Sequence, residues 1–434
     1  MSGVFWILVY LLVVLSPVFM MMAAPHPSGR PFLLELSIAL GFVGLTQIAV
    51  QFALIARFKR VTAPYGIDVI LRYHRQIALV AFAFILVHPV LIVIDYPPRL
   101  ALLNPFGGNW ASRLGLLSIA ALAAIIITSV YRQRLRLGYE RWRVVHITMA
   151  ILALVGAQAH VSMAGLYVNT AWKHALWIGT ALVMVGFVMY LRLWRPIQQR
   201  RQPWTITEIR RERGDSCSLV LAADGHDGIR FHPGQFAWLK IADSPFTVDE
   251  HPFSFSSSAT EPQHVEFGVK ALGDFTRALL ELEPGARAYL DGPHGSFGID
   301  RASSAGYVMV AGGIGITPLL SCLRTMAARG DRRPVLLLDA QKSWEAATYR
   351  EALEELKGQL DLEIIYVLEQ PHEGWDGESG FIDGELLERR LPREGIERDY
   401  LLCGPPPLMN AVHDALRERG VPETRIHSER FNLV

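Results

Sequence analysis

The chain has 434 residues, 51% hydrophobic and 19% charged, and its mean hydropathy of +0.25 is too apolar for an ordinary soluble protein. Its formal net charge of +1 conceals a division, because residues 1–202 hold 18 Lys+Arg against 4 Asp+Glu while the rest holds 24 against 37. A basic, apolar half is therefore joined to an acidic, water-soluble half, with length for two or three domains and no electrostatic footprint for nucleic acid.

Apolar runs of spanning length fall at about 4–24, 33–56, 70–95, 114–131, 143–165 and 174–194. No basic stretch precedes the first, which is read as a membrane helix rather than a cleaved leader. Basic residues sort the connections. Fourteen, among them Arg57, Lys59, Arg60, Arg132 and Arg134, lie in the loops after spans two and four and at the exit from span six, against four, Arg30, Arg99, Arg113 and Lys173, on the other side. The positive-inside rule predicts a multi-pass plasma- or inner-membrane protein with both termini and the soluble half in the cytoplasm.

Two spans carry histidines at equal spacing. RYHRQIALVAFAFILVHP holds His74 and His88, and RWRVVHITMAILALVGAQAH holds His146 and His160, fourteen residues apart in each case. Fourteen helical steps return a side chain to within about 40° of its starting direction, roughly 21 Å further along the axis. Each helix thus presents two ligands on one face, at different depths of the bilayer. An ionisable group at membrane depth is costly unless satisfied. Matched imidazole pairs suit two stacked b-type haems, each iron taking one neutral imidazole from either side. The topology makes the two spans parallel, so His74 pairs with His146 on the inner side and His88 with His160 on the outer. Arg75, Arg141 and Arg143 fall at the inner end, where propionates need partners. Ala78, Ala81, Ala150, Ala153 and Ala157 share the ligand faces and predict close packing with no aromatic stepping stone. Pro89 removes one backbone bond next to His88 and predicts a kink.

After a charged exit helix and a short linker at 198–202 the period changes. Residues 204–300 read as short alternating strands, TITEIRRE, SCSLVLAA, QFAWLKIA, HVEFGVKA and ARAYLDG, broken by Gly, Pro and Asp: an antiparallel barrel. HPFSFSS, from His251, closes one strand. GVKALGDFT, from Gly268 through Lys270 to Thr276, leads into an apolar helix, RALLEL, and Gly273 and Thr276 at that helix start suit a pyrophosphate. From Gly306 strands and helices alternate. Gly312, Gly313 and Gly315 form a turn after a buried strand, Thr317 and Pro318 open a helix, and Cys403-Gly404-Pro405 follows a later strand. In an open parallel sheet such turns lie where ligands bind. Cys217, Cys322 and Cys403 lie in this half without metal-ligand spacing, as in a reducing cytosol.

The four equally spaced histidines, LRLGYERWRVVH, HPFSFSS, GDFT, GPHGSFG, AGGIGITP and CGPPPLM in this order resemble the NADPH oxidase and ferric reductase superfamily over nearly the whole chain. The resemblance implies a multidomain fold: a six-helix transmembrane bundle over 1–200, an antiparallel β-barrel FAD domain over 203–300 and an α/β parallel-sheet NAD(P)H domain over 304–434. It assigns the four histidines to haem iron. His251, Pro252, Phe253 and Ser254 match the flavin motif, with Ser254 near the reactive nitrogen, and Gly268, Lys270, Gly273 and Thr276 fall at the FAD pyrophosphate side. Gly312, Gly313, Gly315, Thr317 and Pro318 match the nucleotide phosphate loop, and Cys403, Gly404 and Pro405 the nicotinamide side. Glu429 and Phe431 resemble the terminal motif whose aromatic covers the flavin, although three residues follow Phe431 here. Lys342 favours the 2′-phosphate of NADPH, whereas Asp339 at the preceding strand end suits the ribose of NADH.

The implied activity carries electrons from NAD(P)H through FAD and two haems to an external acceptor. Dioxygen, giving superoxide, is preferred over a ferric chelate because the outer loops are short. A relay role for a membrane or periplasmic partner is the third reading. Protein partners and oligomeric state have no signal in the sequence.

Overall fold

The computed structural model describes residues 3–23, 30–58, 66–165, 167–301, 304–391 and 397–430, and the chain divides into two compact units at Arg195/Pro196. Among the described residues of the first, six helices are long and apolar enough to cross a membrane. They are α1 (Gly3–Met22), α2 (Phe32–Leu54), α3 (Ile67–Asp95), α4 (Trp110–Val130), α5 (Tyr139–Ala164) and α6 (Ala171–Met189). The last continues through a π-turn at Tyr190–Trp194 into α7 (Arg195–Arg200). That helix takes up part of the expected linker, because nothing in RPIQQR stops a helix and proline is tolerated in a first turn.

Helical periodicity decides which faces turn inward. On α3, Ala81 is buried and His74, Ala78, Ile85 and His88 are partly covered along one stripe, while Leu79, Val80, Leu86, Val87 and Val90 are exposed. In a multi-pass membrane protein that outer stripe faces lipid and gains nothing from burial against protein. The main packing is pairwise, α2 on α3 and α4 on α5. Close approach is set by glycine in both pairs. A Cβ on Gly44 would meet Ile85 at 2.8 Å, and one on Gly156 would meet the Leu114 carbonyl at 3.2 Å. The helix runs on through Pro89 to Asp95.

The second unit holds two sheets. Strands β1 (Trp204–Glu212), β2 (Ser216–Ala223), β3 (Phe236–Ile241), β4 (His251–Ser254), β5 (His264–Lys270) and β6 (Arg287–His294) form an antiparallel sheet in the order β4-β3-β6-β1-β2-β5. A bridge between Phe255 and Phe267 joins its two edges into a barrel. Period-two alternation fills the interior with Ile206, Leu219, Leu221, Leu239, Phe255 and Phe267. The expected helix over RALLEL lies earlier, as α8 (Asp274–Leu279), and Glu281 follows it in a turn.

The other sheet is all parallel, β10-β9-β8-β7-β11-β12. Its strands are β7 (Tyr307–Gly312), β8 (Val335–Gln341), β9 (Leu362–Leu368), β10 (Glu378–Ser379), β11 (Asp399–Cys403) and β12 (Ile426–Glu429), joined by α9 (Ile316–Arg329), α10 (Arg350–Lys357), α11 (Gly384–Arg390) and α12 (Pro406–Glu418). Both faces are covered, as parallel sheets require. Tyr307, Met309 and Ala311 pack into one cluster, and Val308 and Val310 into the cluster opposite. Polar contacts tie this sheet to the barrel. Arg324 donates to Glu266 at 2.8 Å and to the Ser256 carbonyl at 3.0 Å, and Ser321 donates to the Ser257 carbonyl at 2.8 Å. Burial alone would raise the Glu266 carboxyl, but Arg324, Ser256 and Arg210 hold it below its ordinary value.

Candidate functional site

The histidines meet in pairs. The rings of His74 and His146 have centroids 6.3 Å apart at 50°, and those of His88 and His160 lie 6.3 Å apart at 74°. With a metal–nitrogen bond of about 2.0 Å and a ring centre roughly 1.1 Å behind the nitrogen, two imidazoles on one iron put their centroids about 6 Å apart. Both pairs have the separation that a shared axial metal requires.

What lies behind the rings was hidden in the sequence. His88 Nδ1 sits 2.9 Å from the Ser37 carbonyl and 3.0 Å from Ser37 Oγ, whose hydroxyl donates to the His88 carbonyl at 2.8 Å. His160 Nδ1 sits 2.7 Å from the Ala111 carbonyl. A carbonyl only accepts, so in both residues Nδ1 carries the proton and Nε2 is the bare nitrogen, the tautomer a metal ligand needs. His146 Nδ1 has a longer contact of 3.4 Å to Ser129 Oγ, which accepts from Trp142 Nε1 at 3.2 Å. His74 Nδ1 has no hydrogen-bond partner among the described residues. Gln51 of α2 is buried, and neither atom of its amide finds a partner among the described residues. It follows Ser37 on α2 by the same fourteen residues that separate His74 from His88.

The His88–His160 end opens into a cavity of about 170 Å³ between α2, α3, α4 and α5, lined by both histidines, Gly41, Gly115, Arg99 and aliphatic side chains. Arg99 is held by Asp95 at 2.8 Å. Between the two pairs the alanine surface is not bare. Ala81 and Ala153 are covered by Ile48 of α2 and Leu122 of α4, with Phe82 and Met149 alongside. The expected close packing on alanine is corrected by branched aliphatics from helices that sequence spacing could not bring there. Arg75 and Arg141, expected beside propionates, are exposed, and Lys59 and Arg60 lie outside the described residues.

In the barrel, β4 presents HPFS beside β3, with Ser254 opposite Phe236. Ser254 is buried, and its hydroxyl has no partner among the described residues. Such an orphan signals a group absent from the protein chain. His251 stacks on Phe275 at 3.9 Å and Phe253 on the same ring at 6.4 Å, with half-buried Pro252 between them. Gly273 is exposed, with nothing within 4 Å of where a Cβ would sit. Thr276 Oγ1 accepts from the N–H groups of Leu272 and Gly273 at 3.0 and 2.9 Å, so it caps α8 instead of standing free for a phosphate. Gly268 is a packing position, since a Cβ there would lie 2.4 Å from Tyr349 Oη and 2.7 Å from Thr317 Oγ1. Lys270 Nζ reaches to 3.9 Å from the Cβ position of Gly313.

The two glycine turns interlock at the carboxyl end of the parallel sheet. A Cβ on Gly315 would lie 2.2 Å from the Cys403 carbonyl, and one on Gly312 would lie 2.7 Å from Pro405 Cδ. Gly404 packs against Gly312, and Gly313 has φ +54°. Beyond them α9 starts at Ile316, with Thr317 donating to the Ile314 carbonyl at 2.9 Å and Pro318 buried. The start of a helix after a glycine turn is a position that favours an anion. Cys403 is fully buried and burial pushes its thiol well above the ordinary range, so it is the backbone of this residue that shapes the turn. Glu429, nearly buried, pairs across from Cys403 on β12. Phe431 lies outside the described residues.

Lys342 is exposed just past β8, as a group meeting a phosphate must be. Asp339 is fully buried, bonded at 2.8 Å to Gln341 Nε2 with its second oxygen unpartnered among the described residues, and burial raises its carboxyl to about 7. It does not face a ribose. The alternation that points a strand-end residue outward or inward is decided by the helices on each face, which the sequence does not show.

Residues 40–157 match the family described as a ferric reductase like transmembrane component, and residues 309–414 match the oxidoreductase NAD-binding domain. Together the two matches fit a fusion of the ferric-reductase/NADPH-oxidase type. Its reductase module fits FAD and a pyridine nucleotide, and its six apolar helices make it a multi-pass membrane protein. The fusion is 33% identical over 244 residues to the propane 2-monooxygenase reductase component of Rhodococcus jostii, covering 54% of this chain and 64% of that protein. It is 28% identical over 238 residues to a flavohemoprotein of Bacillus subtilis, covering 53% and 59%. The chain therefore spans less than two thirds of the length of these curated relatives. Among solved structures, the cytochrome b5 reductase domain of Ulva prolifera nitrate reductase matches with a TM-score of 0.47 and 23% identity, over 53% of this chain and 98% of that one.

Proposed function

We propose that the fusion transfers electrons across a membrane, from cytoplasmic NAD(P)H through FAD and two b-type haems to an acceptor on the far side, and that this acceptor is dioxygen, giving superoxide. The observation that carries the reading is the two histidine pairs, each at the separation a shared iron requires, in one chain with a nucleotide-reductase module. When bound, FAD would accept hydride from the nicotinamide and each haem iron would take electrons singly.

The protein's own groups divide the work. The Gly312–Gly315 turn and the start of α9 offer N–H groups to the nucleotide phosphates, and Lys342 adds a cation that favours NADPH. Ser254 offers its unpaired hydroxyl to the flavin, and Phe253 offers a ring face. His74 with His146 would hold the inner haem and His88 with His160 the outer one. Nδ1–H donation by His88 and His160 holds Nε2 unprotonated toward the iron.

The match to a ferric reductase like component favours a second reading, reduction of a ferric chelate by the same route. Reduction of cytochrome c by the purified, haem-loaded fusion separates the two. Loss of the signal on adding superoxide dismutase is expected, and an insensitive signal accompanied by anaerobic ferric reduction would overturn the dioxygen reading.

A further inference from the structure

Two helices without a histidine, α2 and α4, hold the outer pair in the same way. On α2 the residues behind His88 are Ser37 and Gly41, and on α4 those behind His160 are Ala111 and Gly115, four apart in both cases. In an α-helix the carbonyl of residue i is covered by the residue at i+4, whose N–H it accepts. A side chain there stands in the way of any ring reaching the carbonyl from outside the helix. A Cβ on Gly41 would lie 3.1 Å from His88 Nδ1, and one on Gly115 would lie 3.0 Å from His160 Nδ1, both tighter than ordinary contact. With glycine as the overlying residue, the ring reaches its carbonyl without crowding.

We infer that Gly41 and Gly115 are positioning residues for the outer haem: each opens the one approach by which its histidine can donate Nδ1–H to a helix carbonyl. The inference rests on the reading of these histidines as axial ligands. Both outer ligands donate to backbone carbonyls at 2.9 and 2.7 Å, whereas the inner pair offers only a 3.4 Å contact to a serine hydroxyl. Donation from Nδ1 makes Nε2 a stronger base and so favours the ferric state. Alanine at either position must push the ring out by a few tenths of an ångström and loosen that bond. The two brackets differ in one respect. Ser37 Oγ gives His88 a second acceptor at 3.0 Å, whereas Ala111 has no side-chain acceptor to offer His160.

The test is a spectroelectrochemical titration of the full-length, haem-loaded protein, with haem content and the low-spin ferric electron paramagnetic resonance signal recorded beside it. Gly115→Ala is expected to move one of two Nernst components upward, so that the ratio of reduced to oxidised haem at fixed potential rises about tenfold, a shift of about 59 mV for one electron. Gly41→Ala moves the same component less, Ser129→Ala moves only the other, and Gly179→Ala, whose Cβ would meet nothing within 4 Å, moves neither. Loss of the outer haem alone from either glycine variant also supports the inference. Unchanged potentials and signals in Gly115→Ala with two haems retained overturn it, as does loss of both haems from both glycine variants, which marks general packing. Fewer than two haems in the unaltered protein would instead remove the axial-ligand reading itself.

Discussion

Gly315→Ala attacks the nucleotide site through its backbone alone. The new Cβ would lie 2.2 Å from the Cys403 carbonyl oxygen, and ordinary contact begins at 3.4 Å, so the turn after β7 and the turn after β11 must part by about 1.2 Å. Both turns carry groups assigned to the nucleotide. Misplacing a substrate by roughly 1 Å can cost on the order of 10²-fold, or about 2.7 kcal/mol. The expected result is a fall of that order in kcat/KM for NADPH with ferricyanide as acceptor, while FAD and haem content stay at the unaltered level. Gly358→Ala is the matched control, because Gly358 has φ −71° at the end of α10 and its Cβ would be 3.4 Å from the Glu355 carbonyl. A Gly315→Ala protein within twofold of the unaltered kcat/KM would refute the interlocked-turn account of the site.

Three further outcomes are expected. Asp339 has its carboxyl raised from 3.8 to about 7, so it stabilises the fold fully below its unfolded value and loses that contribution as pH rises through about 7. Asp339→Asn should therefore stabilise the detergent-purified protein against thermal unfolding more at pH 8 than at pH 5, by roughly 2.5 kcal/mol; equal gains at both would remove the buried-charge argument. Glu266 is held below its ordinary value, so its contribution is present above about pH 4.3 and lost as pH falls through the lower folded value. Arg324→Met should accordingly show its destabilisation near neutral pH and lose most of it in acid, and a pH-independent deficit would point to packing instead. Lys342→Ala should raise the KM for NADPH about tenfold and leave that for NADH within twofold; parallel changes would take Lys342 out of the phosphate site.

The fold was legible wherever periodicity carried it. Fourteen-residue histidine spacing, period-two strands and glycine turns after buried strands each state a local geometry that tertiary packing had no reason to override. What was hidden depends on which helices neighbour one another. Ser37 and Ala111 are ordinary apolar-helix residues until α2 and α4 bring their carbonyls against His88 and His160, and a glycine in a membrane helix reads as generic close packing. The same limit explains Asp339, buried by covering helices, and Ala81, covered by Ile48 and Leu122. Thr276 shows a subtler ambiguity, since one hydroxyl at a helix start suits a phosphate and a cap equally well, and here it caps.

The central claim is that one chain wires two haems to one flavin. Haem and FAD quantified in the purified full-length protein test it most directly. The account predicts two b-type haems and one FAD per chain, falling to one haem, with the flavin kept, in His88→Ala. A single haem in the unaltered protein, or no loss in His88→Ala, would contradict it.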